Sequence, residues 1–69
     1  MAQGTVKWFN ADKGYGFIAP DDGTADAFVH ISEVERAGMA TLDRDQRIAY
    51  DLTDDKRGRQ SAGNLRPAE

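Results

Sequence analysis

Lys13-Gly14-Tyr15-Gly16-Phe17-Ile18 is the stretch that decides the fold. Side chains alternate along an extended strand, so Tyr15 and Phe17 share one face while Ile18 points to the other. Phe28-Val29-His30 repeats the pattern, with two ring-bearing side chains on one face and an aliphatic opposite. Globular domains normally bury their rings. Two neighbouring strands that turn rings outward and aliphatics inward therefore point to a binding surface. Unpaired nucleic-acid bases suit it, because every base has a π-face and stacks on aromatic side chains with little regard to sequence, at about 1–3 kcal/mol per base. Gly14 and Gly16 lack a Cβ, which leaves the rings uncrowded and admits a ligand or another strand close to the backbone.

Outward from that stretch, Gly4 to Asn10 reads as a preceding strand rich in β-branched and aromatic side chains. Strict alternation groups Trp8 with Val6 in the core, so an outward Trp8 requires a bend or a bulge. Asn10 to Gly14 is turn-prone, Tyr15 to Ala19 is the second strand and Pro20 ends it. Asp21-Asp22-Gly23-Thr24 makes a polar turn, and Ala25 to Ile31 return as the third strand. Ser32-Glu33-Val34-Glu35 matches a capping box, with Gly38 placed to stop one short helical turn. Met39 to Asp45 is irregular, with Leu42 dipping back into the core. Gln46 to Thr53 alternates, Ile48, Tyr50 and Leu52 on one face and Arg47, Ala49 and Asp51 on the other. A charged hairpin loop, Asp54 to Arg59, leads to a fifth strand from Gln60 to Arg66, closed by Pro67.

Five short strands and one helical turn in 69 residues predict a single all-β domain over residues 1–69: a five-stranded antiparallel OB-type barrel. Closure removes most strand edges and lets Val6, Ile18, Val29, Ile48 and Leu65 be buried from all sides. That matters here, because no cysteine is present to staple so small a core. The missing thiols also exclude thiolate nucleophiles and thiolate metal sites. With one histidine, a histidine-based metal centre is not expected, nor is any cofactor. The N-terminus has no basic run or apolar segment of the secretory kind and no stretch is long enough to span a bilayer, so a cytoplasmic protein is expected.

The formal charge of −3 weighs against nucleic-acid binding through phosphates. Distribution softens the objection: Lys7 and Lys13 flank the ring-bearing strands, while the acidic residues fall mostly in loops. With about three phosphate contacts, the log–log salt slope for a single strand is only about −2.

Gly4-Thr5-Val6-Lys7-Trp8-Phe9-Asn10, Lys13-Gly14-Tyr15-Gly16-Phe17-Ile18 and Phe28-Val29-His30-Ile31-Ser32 together resemble the bacterial cold-shock protein family, over essentially the whole chain. The resemblance implies a five-stranded barrel that binds single-stranded RNA and DNA, acts as an RNA chaperone and influences transcription termination and translation. It turns Trp8 outward and implies a ligand surface of Trp8, Tyr15, Phe17, Phe28 and His30, with Lys7, Lys13 and Phe9 beside them. Asn10, Asp26, Arg57 and Gln60 fall where family members place polar contacts at the rim. Three positions depart from the pattern. Ile31 and Met39 stand where rings are common, and each removes a stack while keeping apolar contact. Arg59 replaces a common proline, adding charge near the ligand path.

Other readings are weaker. The chain has no thiol, no histidine pair and no Walker-type glycine loop, so an enzyme is not expected. A protein-docking module shares the aromatic enrichment. The RNA recognition motif shares the Lys-Gly-Tyr-Gly-Phe string but wants an aromatic where this chain has Pro20, and needs two long helices. An OB domain of the translation-initiation type belongs to the same barrel class. A monomer is the expected state, as a closed barrel with an acidic surface offers no edge for pairing.

Overall fold

The computed structural model describes residues 2–54 and 59–68. Five strands, β1 (Ala2–Asn10), β2 (Tyr15–Pro20), β3 (Ala27–His30), β4 (Arg47–Asp54) and β5 (Gln60–Pro67), close into a barrel in the order β1-β2-β3-β5-β4. The short helix α1 (Ile31–Arg36) follows β3 directly. Four junctions are antiparallel, and the closing one, between β3 and β5, is parallel and short, with Phe28 opposite Ser61. The all-β barrel expected from the strand pattern is therefore present, with this single parallel seam in an otherwise antiparallel sheet.

Val6, Ile18, Val29, Ile48 and Leu65 fill the core as expected, joined by Val34 from α1 and by Leu42 from the long connection. Cross-strand partners share a face, so Val6 opposite Ile18 and Gly16 opposite Val29 look inward, and Phe17 opposite Phe28 looks outward. Between Val6 and Trp8 the register of β1 slips by one residue, Lys7 being extra relative to β2. Such a bulge reverses parity. Trp8 accordingly faces Phe17's side while Val6 stays on Ile18's. A second bulge lies on β5, where Asn64 and Leu65 together oppose Tyr50, and Asn64 takes a left-handed φ of 54°.

Several local expectations are revised. β3 begins at Ala27 and not at Ala25, and Ile31 opens the helix instead of ending the strand. The helix is capped by His30, whose ring accepts from Ser32 N–H, so the anticipated capping box of Ser32 and Glu35 does not form. The cap thus lies two residues before Ser32, and the Ile31 N–H that follows it donates to the Gly14 carbonyl at 2.9 Å. Gly38 ends the helix as expected, at φ 82°. In β4, Ile48 and Tyr50 are buried but Leu52 is 37% exposed, because the strand runs beyond the covered part of the barrel and Thr53 and Asp54 are exposed with it. Ala49, expected on the outer face, is buried too, between Gln3 on β1 and Arg66 on β5. Most of the charged hairpin tip, residues 55–58, lies outside the described residues.

Candidate nucleic-acid interface

Trp8, Tyr15, Phe17 and Phe28 come together on the outer face of β1, β2 and β3, each half-buried. Trp8 lies 5.5 Å from Tyr15 and 5.3 Å from Phe17 between ring centroids, at interplanar angles of 70° and 61°. Phe28 stands 5.8 Å from Phe17 edge-on and 5.7 Å from Tyr15, nearly parallel at 24°. Edge-to-face packing, worth about 0.5–1.5 kcal/mol per contact, holds the rings in place, and each ring residue remains partly exposed. The surface is thus ordered before anything binds to it. Arg59 adds its guanidinium 5.3 Å from the Phe28 centroid, within cation–π reach.

Backbone chemistry sets the two sides of this face. On one side, Asn10 closes the β1–β2 turn: its Oδ1 accepts from Lys13 N–H at 3.0 Å and its carbonyl from Gly14 N–H at 2.8 Å. Gly14 turns the corner at φ 84°, a conformation that favours glycine. Lys13 is left exposed at the tip. On the other side, His30 ends β3 opposite Tyr15. Its Nδ1 accepts from Ser32 N–H at 3.1 Å and lies 2.9 Å from Ser32 Oγ, so the neutral ring carries its proton on Nε2.

The remaining candidates divide. Lys7, the bulge residue, is exposed and paired with Asp26 at 2.9 Å. Such an exposed pair contributes little stability, about 0–1 kcal/mol. Gln60 is half-buried at the start of β5, its Oε1 buried without a hydrogen-bond partner among the described residues. Ile31 packs near the Gly14 turn. Phe9 and Met39 do not join the ring face; both pack against the core cluster. Phe9 sits opposite Gly16, where a Cβ would come within 2.7 Å of Phe9 Cδ1. The close approach that Gly16 permits is therefore that of β1, which seats Phe9 beneath the ring face. Arg57 lies outside the described residues.

Two features escaped the sequence. One is the dual role of His30 as ring and helix cap, for which the only signal is a polar side chain two residues before Ser32 N–H. The other is a clamp in which Arg47 donates to both carboxylate oxygens of Asp21, at 2.5 and 2.6 Å, and to Thr5 Oγ1 at 3.1 Å. The Arg47 hydrogen bonds hold the Asp21 carboxyl below the usual carboxylate range. Among the described residues no group of three or more His, Asp or Glu side chains is placed to hold a metal ion, and no helix is long and apolar enough to cross a membrane.

A closed five-stranded barrel of the OB type carrying an ordered, half-exposed ring cluster defines the class. Comparison with known proteins agrees. The family model described as the "cold-shock" DNA-binding domain matches residues 2–67. A probable cold shock protein of Sinorhizobium fredii is 64% identical over 66 residues, covering 94% of this chain and 96% of its own length. A cold shock protein of Rhizobium meliloti is 59% identical over 69 residues, covering 99% and 100%. A probable cold shock protein of Mycolicibacterium smegmatis is 51% identical over 63 residues, covering 91% and 94%. The chain belongs to the cold-shock domain family of nucleic-acid-binding proteins.

Proposed function

We propose that residues 1–69 act as one domain that binds single-stranded RNA and DNA by stacking unpaired bases on Trp8, Tyr15, Phe17 and Phe28, with His30 at the edge and Lys7, Lys13 and Arg59 attending the phosphates. The observation that carries this reading is the ordered ring cluster on the outer face, opposite an aliphatic core. A duplex hides its base faces, so the surface has purchase on open strands only.

The consequence is an ATP-independent chaperone without catalysis or cofactor. A protein that binds the open strand alone stabilises it by RT ln(1 + [L]/Kd), about 2.7 kcal/mol at 100 times Kd, which opens weak hairpins and spares strong ones. Acting as a monomer in the cytoplasm, it would in this way influence transcription termination and translation where a nascent hairpin decides the outcome.

Titration of Trp8 fluorescence with a short oligopyrimidine single strand, and separately with its duplex, tests the reading. Quenching by the single strand alone is expected. If neither fluorescence nor a label-free titration responds to the single strand, the ring face is a protein-docking surface and the proposal fails. The chaperone step is tested by a hairpin beacon RNA, whose melting temperature must fall as protein concentration rises.

A further inference from the structure

Beside the ring face, α1, β3, β5 and part of β4 line an open groove of about 510 Å³. Phe28 and His30 belong to both surfaces, so a strand leaving the rings on that side passes the groove's mouth. The volume falls within the range of small-ligand sites, about 300–1,000 Å³. Its lining mixes polar and apolar surface in about equal measure. Glu33 reaches from α1 toward β5, its side chain 23% exposed. A Cβ on Gly63 would lie 3.3 Å from Glu33 Oε1, so the glycine makes room for the carboxylate over the β5 backbone. Arg36 comes no nearer to Glu33 than 3.7 Å and is itself largely exposed at the rim. Asp51, the other acid of the groove, is engaged by Asn64 at 3.0 Å and Arg66 at 3.1 Å.

We infer that this groove is a base-reading subsite that takes a single guanine flanking the stacked bases, with the Glu33 carboxylate accepting from its N1–H and N2–H groups. The inference rests on the single-strand reading above. A carboxylate in a recess repels phosphate and offers only acceptors, so the complementary base edge is one that offers adjacent donors. Guanine alone presents two such donors on its Watson–Crick edge. Single-stranded bases, being unstacked, are free to offer that edge. Arg36, largely exposed beside Glu33 at the rim, supplies a cation for the attached phosphate.

The test titrates the protein with an oligothymidine and with the same strand carrying one guanine, or one inosine, at either end. Guanine at one end is expected to raise affinity at least about fivefold over thymine, the low end of what a bidentate base contact discriminates. Inosine, which lacks the N2 amino group, should lose most of the gain. Glu33→Ala should bring the guanine-to-thymine ratio to one, read as a ratio so that the general effect of removing one negative charge cancels. Equal binding of guanine, inosine and thymine at both ends, or a guanine preference that survives Glu33→Ala, overturns the inference. Failure to bind the oligothymidine itself would instead overturn the stacking reading.

Discussion

Trp8 stands across from Phe17, ring centroids 5.3 Å apart, because Lys7 is one residue too many for the β1–β2 ladder. Without that bulge Trp8 would share Val6's inward face. The ring surface therefore depends on a backbone irregularity as much as on its aromatic composition.

Truncating a ring should separate binding from folding. Phe17→Ala or Phe28→Ala is expected to weaken oligothymidine binding by about 1–3 kcal/mol, the magnitude of one base–aromatic stack. The side chains are half-buried, so the loss of thermal stability should be smaller than for a core change such as Ile18→Ala, which costs about 2–5 kcal/mol. Titration and thermal melts on the same variants check this; unchanged binding would remove that ring from the surface.

Gly16→Ala should be costly although it adds one methyl group. The new Cβ meets Phe9 Cδ1 at 2.7 Å and the β1 backbone beside it. Overpacking of this kind costs about 1–3 kcal/mol, and here a strand must shift to relieve it. Urea unfolding gives the difference directly, and a wild-type midpoint would contradict the packing described.

Tyr50→Phe should leave stability unchanged or raise it. The Tyr50 ring is fully buried and its hydroxyl has no hydrogen-bond partner among the described residues, while burial pushes its pKa up. A buried hydroxyl left unsatisfied costs about 1–3 kcal/mol, which sets the upper bound of the gain. A marked drop in unfolding free energy would reveal a partner for the hydroxyl.

Acid should weaken the fold through Asp21. The Arg47 hydrogen bonds lower its carboxyl from an ordinary value of 3.8. The folded pKa is depressed, so the clamp's contribution is complete above the unfolded value and is lost as pH falls through the folded one. The window therefore lies below pH 3.8. Asp21→Asn should flatten the fall in melting temperature there; an identical acid profile would mean that the clamp contributes nothing.

Salt should matter only modestly. An overall slope of about −2 is expected for a single strand, and Lys13→Gln should reduce its magnitude by about 0.7, the share of one phosphate contact. A slope as steep as that of a basic protein would count against stacking as the main source of affinity.

The sequence by itself determined the strands, the inward aliphatics and the outward Tyr15, Phe17 and Phe28, because alternation along a strand is a local property of the backbone. It also determined the Asn10–Gly14 turn and the helix stop at Gly38, where side-chain chemistry and positive φ are set within a few residues. Parity left Trp8 open, and the residues matching the cold-shock pattern turned it outward. Only the tertiary structure decided why: the extra residue of a bulge is defined by its partner strand, and no single strand records it. The same holds for His30 as helix cap, whose neighbour Ile31 is tied by its N–H to the Gly14 carbonyl of another turn, and for Leu52, whose exposure depends on where the barrel ends. Phe9 and Met39 went to the core side for a related reason, since neighbouring elements decide which half-apolar side chain is covered. The groove at Glu33 belongs entirely to this second class, because it exists only where α1 lies over Gly63 of β5.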